Sequence, residues 1–130
     1  MENLKKAVIN PLAPTPIGPY SPGVRVGNTL FVSGHVPIHP ETKTLVQNTM
    51  EAATAQVLTN IGKLLATEGF TMDEVVKCTI FLTDLNDFNE VNACYATFFK
   101  GIPPARETVE VSRLPLDARI EISCIAIKSK

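Results

Sequence analysis

The chain is short of excess basic charge, of glycine and of cysteine, and each shortage removes a class of function. Twelve Lys and Arg stand against thirteen Asp and Glu, a net charge of −1 and a pI near 6.1. Proteins that grip a phosphate backbone carry a basic excess. Here basic residues gather only at Lys5/Lys6 and Lys128/Lys130, so nucleic acid is disfavoured as a partner. The seven glycines include no GxGxxG and no GxxxxGK(S/T), the spacings that cradle phosphates. Cys78, Cys94 and Cys124 are odd in number and far apart. They fit neither a CxxC metal knuckle nor a secreted disulfide framework, and read as packing residues. No apolar run approaches the ~18 residues of a membrane span, and residues 1–10 lack the apolar stretch of a secretory signal. The expectation is a reduced, cytoplasmic setting without membrane contact, an organelle-targeted form being left open.

What is present is ordinary globular chain. At 130 residues and 45% hydrophobic, residues 1–130 can form one domain with one sizeable core. Residues 11–22 hold five of the ten prolines; proline fixes φ and lacks a donor, so this segment reads as an ordered arm on the surface. Val24 and Val26 alternate with polar neighbours, Gly27-Asn28 supplies a tight turn, and Leu30 to Ser33 resumes, a hairpin pattern. Leu45-Val46 can start a short third strand. Met50, Ala53, Val57, Ile61 and Leu64 form one helical stripe over 49–68, with Asn48 and Glu51 as a capping box and Gly69 as the stop. Strand 75–83 follows, with Val76, Cys78, Ile80 and Leu82 on one face. A second helix over 87–100 carries Phe88, Val91, Tyr95 and Phe98 and stops at Gly101. Strands 108–112 and 119–127 finish the chain. This order predicts an α+β two-layer sandwich, a sheet with both helices on one face.

The last strand sets Ile120, Ile122, Cys124 and Ala126 against Glu121, Ser123, Ile125 and Ile127. Both sides are largely apolar, whereas a sheet covered by helices on one face alternates with polar residues on the other. The second face is therefore expected to be covered by another copy of the chain.

Candidate chemistry is sparse. Arg106 precedes a strand and shares its side with Thr108 and Glu110. It either grips a planar carboxylate through a two-pronged contact or pairs with a surface Glu. Glu121 sits among isoleucines, where a carboxylate is costly unless paired or used to orient water or move a proton; the other reading is a charge that protects a sheet edge. Tyr20, Ser33, Thr108 and Ser112 supply hydroxyls, and Gly34 lets a ligand approach the backbone. No serine occupies a nucleophile elbow. His35 and His39 have an H-x-x-x-H spacing, but Pro37 and Pro40 forbid the helix that would pair them on a metal, and no metal is expected.

Four segments together resemble the reactive intermediate/imine deaminase A family (RidA, or YjgF, often labelled endoribonuclease L-PSP). They are IGPYS (17–21), FVSGHVP (31–37), DLNDFNEVNACYATFF (84–99) and PPARETVEVSRLPLDARIEISCIA (103–126). The resemblance implies a chorismate-mutase-like fold, a mixed sheet assembled as a homotrimer with sites in the clefts between subunits. It implies hydrolysis of 2-enamine and 2-imine acids, released by pyridoxal-phosphate dehydratases, to 2-oxo acids and ammonia, that is, a 2-iminobutanoate/2-iminopropanoate deaminase without cofactor. By motif position Arg106 would hold the substrate carboxylate and Glu121 would position the attacking water. Tyr20, Ser33, Gly34, Asn92 and Thr108 would line the cleft. His35 replaces a frequent Gln and Thr108 a frequent Cys. Two other readings stand beside it: an RNA-cleaving translation inhibitor, and a non-catalytic trimer that binds small carboxylates.

Overall fold

A computed structural model describes residues 4–10, 13, 16 and 18–129. Six strands and two helices follow in the order β1 (Lys6–Val8), β2 (Gly23–Val26), β3 (Thr29–His35), α1 (Met50–Ala66), β4 (Val75–Leu82), α2 (Phe88–Ala96), β5 (Ala105–Glu110) and β6 (Ile120–Ile127). The strands form one mixed sheet, β1-β2-β3-β6-β4-β5. Only β4 and β5 run parallel, joined by α2 as a crossover; the other neighbours are antiparallel.

Burial follows the period of each element. Along β6 the even positions Ile120, Ile122, Cys124 and Ala126 are buried. They stand beside Leu30 and Val32 of β3 and Cys78, Ile80 and Leu82 of β4, and α1 and α2 close the same core through Val57, Ile61, Leu64, Val91 and Tyr95. Helix α1 buries Thr54, Leu58 and Leu65 as well as the predicted stripe, which widens its apolar face. The odd positions of β6 face away from the helices with Phe31, Phe81 and Val109. Phe31 is 46% exposed and Val109 43%, so large apolar side chains stand uncovered on this second face within one chain, among the polar Lys77, Thr79, Glu107 and Ser123.

Several local expectations are corrected. Helix α1 is capped by Thr49, not Asn48: its extended backbone places Oγ1 to accept from the Ala52 amide at 3.0 Å, while the Glu51 amide donates to Glu90 of α2 at 2.9 Å. Gly69 does close the turn after the helix, with φ +74°. Helix α2 ends at Ala96, before Gly101, because Thr97 Oγ1 donates back to the Cys94 carbonyl at 2.6 Å and the next amides make three-residue turns. A bulge in β4 turns Val75 inward and leaves Val76 exposed. Leu45 makes only an isolated bridge to Ile38. Strand β5 starts at Ala105, so Arg106 lies inside it. Strand β1 was not anticipated, since three residues carry no readable period. Of the proline-rich arm, positions 11, 12, 14, 15 and 17 lie outside the described residues. No helix among the described residues is long and apolar enough to cross a membrane.

Candidate functional site

Strand β5 pairs in register with β4, Cys78 beside Arg106 and Ile80 beside Thr108. That register puts Arg106 and Thr108 on the helix-covered side, at the edge of the sheet. Phe88, Asn92 and Tyr95 are spaced i, i+4 and i+7 on α2 and face this edge. The Arg106 guanidinium donates to Asn92 Oδ1 at 2.6 Å. Its central carbon lies 4.9 Å from the Tyr95 ring centre and 5.6 Å from that of Phe88, within cation–π range. No carboxylate lies within 4.0 Å of it among the described residues. The nearby acids are engaged elsewhere: Glu107 pairs with Lys77 at 2.6 Å, and Glu110 accepts from the Leu85 amide at 2.9 Å. The surface ion pair considered for Arg106 is thus not made, and the guanidinium keeps donors free for a planar acceptor.

Two hydroxyls beside it are buried without a hydrogen-bond partner among the described residues, those of Thr108 and Tyr95. The Tyr95 hydroxyl lies near the Cys78 thiol, and burial drives its ionisation far above the ordinary phenol range. Cys78, Cys94 and Cys124 are free and buried, and desolvation raises each thiol, as suits packing residues.

Glu121 lies on the other side of the sheet, in register with Phe81. Its carboxylate rests against the backbone of Gly34, where a Cβ would collide with it and push it aside, so glycine matters there through space rather than torsion. No cation stands within 4.0 Å among the described residues, and desolvation raises its pKa above the ordinary carboxylate value. Ser33 is tied to the arm, Oγ donating to the Ser21 carbonyl at 2.6 Å. The His35 ring hydrogen-bonds the Ser33 carbonyl through Nδ1 at 2.7 Å. Because a carbonyl only accepts, Nδ1 carries the proton; burial lowers the pKa of the ring and favours its neutral form. Tyr20, Gly34, His35, Leu116 and Glu121 share a hollow of about 990 Å³ with residues of the arm and of α1.

The seven residues singled out from sequence therefore fall into two groups. Arg106, Asn92 and Thr108 meet at the β5 edge; Tyr20, Ser33, Gly34 and Glu121 meet at the far face. One chain does not bring the two groups together. Sequence reading missed the rings around Arg106, which it assigned to the core stripe. An Asn flanked by aromatics on one helical face is the signal that could have found them.

Residues 11–128 match the family model described as endoribonuclease L-PSP. A RutC family protein of Sulfurisphaera tokodaii is 49% identical over 123 residues, spanning 95% of this chain and 98% of that one. The chain belongs to the RidA/YjgF family. The chloroplastic Reactive Intermediate Deaminase A of Arabidopsis thaliana, another of its relatives, is 45% identical over 122 residues, 94% of this chain and 65% of that protein. Among RidA/YjgF structures, the YjgF gene product of E. coli superposes with a TM-score of 0.89 at 40% identity, covering 95% of this chain and 98% of its own. The α+β fold with a mixed six-stranded sheet and two helices is thus the family's fold.

Proposed function

We propose that the protein hydrolyses 2-enamine and 2-imine acids, such as those released by pyridoxal-phosphate dehydratases, to 2-oxo acids and ammonia, in clefts between the subunits of a homotrimer. One observation carries this reading: a guanidinium with no acid partner and a carboxylate with no basic partner among the described residues lie on opposite faces of the sheet, and the face that holds the carboxylate leaves Phe31 and Val109 uncovered. Covering that face with a second copy would bury Phe31 and Val109 and set Arg106 of one chain toward Glu121 of another.

In such a cleft Arg106 binds the substrate carboxylate through both prongs. Glu121 holds a water near the C=N carbon. Water oxygen adds to carbon as the C=N electron pair moves to nitrogen, and protons pass from oxygen to nitrogen until the C–N bond breaks. Imine plus water becomes 2-oxo acid plus ammonia, with no redox change. Imines hydrolyse unaided, so orientation and proton transfer suffice; the latter contributes on the order of 10²–10⁴-fold. Tyr20, Ser33, Gly34, Asn92 and Thr108 line the cleft. The chemistry calls for no cofactor or metal and suits a cytoplasmic setting.

The test couples a serine or threonine dehydratase to 2-oxo acid release, with light scattering in parallel. Faster release and a mass about three times that of one chain support the proposal. A monomer at micromolar concentration removes the shared cleft. RNA cleavage by nuclease-free protein that a single substitution here abolishes would favour the RNA-cleaving reading, and carboxylate binding without turnover would favour the non-catalytic one.

A further inference from the structure

The turn between β5 and β6 holds a large side chain in a conformation it does not choose. Leu116 has φ 60° and ψ 20°, and Asp117 follows with φ 58°. Both lie in the left-handed region, which is uncommon outside glycine and an outlier for bulky residues. Such strain persists only where the surroundings over-determine it, and it gathers where a site requires it. The surroundings do so here. Leu114 and Ala118 are buried on either side. The Gln47 amide clamps the turn twice, donating to the Asp117 carbonyl at 3.2 Å and accepting from the Arg119 amide at 2.9 Å. Arg113 adds an ion pair to Asp117 at 3.2 Å.

What the clamp presents is an apolar side chain left 54% exposed, on the wall of the hollow that also contains Glu121 and Gly34. Tyr20, 51% exposed, lines the same hollow. A fold that needed only a tight turn would be served better by glycine at this position, so the strain goes with the side chain.

We infer that Leu116 is a specificity-determining residue that selects substrates with aliphatic side chains, the imines of leucine-like amino acids over that of alanine. This rests on the deaminase reading and adds a ranking to it: the alanine imine, which a serine dehydratase also releases, remains a substrate but the poorer one. An aliphatic side chain lining the hollow gains from each methyl group it takes out of water and gives nothing to a substrate that ends at one carbon.

The experiment generates imines in place from leucine and from alanine with an amino-acid oxidase and measures kcat/KM for each. The parent is expected to favour the leucine imine by about tenfold or more, the discrimination an apolar pocket gives per carbon or two. Leu116→Ala and Leu116→Gly should both remove most of that preference, bringing the leucine-imine kcat/KM down to within about threefold of the alanine-imine value. Leu116→Gly should also raise Tm, since it releases the strained φ. A residue that served only the turn would move Tm without moving the ratio. Equal use of both imines by the parent, or a preference that survives both variants, overturns the inference. Failure of the parent to accelerate hydrolysis of either imine overturns the deaminase reading itself.

Discussion

Arg106 and Glu121 both carry charge into a mostly apolar fold, yet their surroundings differ in kind. The guanidinium is furnished within one chain, with two rings and an amide that fix its plane before any ligand arrives. The carboxylate is furnished with space: a glycine gives it room, burial raises its pKa, and no positive charge among the described residues steadies it. A binding group gains from being held, because affinity is lost to whatever must be ordered on binding. A group that must hold water or a proton gains from being left unpaired, because an ion pair would fix its protonation state.

The sharpest way to break this contrast is Arg106→Ala. Loss of a charge-assisted clamp costs ~1.5–3 kcal/mol or more in a partly dry cleft, so kcat/KM should fall by about tenfold to several hundredfold. Binding of a 2-oxo acid, measured by calorimetry, should vanish. Arg106→Lys should recover little, since a point charge does not replace a planar fork. Parent-level activity in Arg106→Ala would leave the clamp without support.

Glu121→Gln should act on the other limb. Turnover is expected to fall about tenfold or more while 2-oxo acid binding stays within about threefold of the parent. The ionised form holds the water, so activity drops as pH falls through a pKa raised above the ordinary carboxylate value, and Glu121→Gln loses this acid limb. Stability moves the other way. A carboxyl whose pKa is raised on folding is strained by its own charge, so its destabilising effect is full above the folded pKa and disappears below the unfolded one. The variant should melt above the parent at pH 7, with the gap closing as pH is lowered. A lower Tm at pH 7 would show that the charge has a partner after all.

Gly34→Ala should be milder in turnover, about tenfold, because the new methyl group displaces the Glu121 carboxylate without removing it; 2-oxo acid affinity should hold. The smallest effect belongs to the rings. Tyr95→Leu removes a cation–π contact of ~0.5–1 kcal/mol, so 2-oxo acids should bind roughly 2- to 5-fold more weakly. Tyr95→Phe keeps the ring and deletes a buried hydroxyl beside the Cys78 thiol, so it should bind 2-oxo acids as the parent does. Unchanged affinity in Tyr95→Leu at a temperature well below its Tm would reduce the ring to packing.

Long periodic segments were legible in the sequence because burial dictates them: α1, β4 and β6 follow from stripes of Leu, Ile and Val. Their ends were less so. Asn48 and Thr49 both suit a cap, and only backbone geometry chooses between them; the bulge at Val75 leaves no trace in composition. Site residues were legible as unusual types in apolar settings, and through resemblance to a family, but not as two groups. Which side of the sheet Arg106 takes depends on the register of a parallel pair, and registers are settled by distant partners. Tyr95 was read as core because a ring that supports a guanidinium and a ring that fills a core share the same helical spacing.

Strand β6 lies between β3 and β4 and is the last of the described elements along the chain. During synthesis, β1-β2-β3 and β4-β5 can each emerge as separate ribbons, but nothing joins them edge to edge until residues 120–127 leave the ribosome. A nascent chain halted before Ile120 therefore presents two bare strand edges with apolar flanks, the kind of intermediate that invites pairing with the wrong neighbour. The strand that ends this exposure also brings Glu121. Completion of the sheet and arrival of the carboxylate are one event, so an unfinished chain offers no half-working water site to the cell.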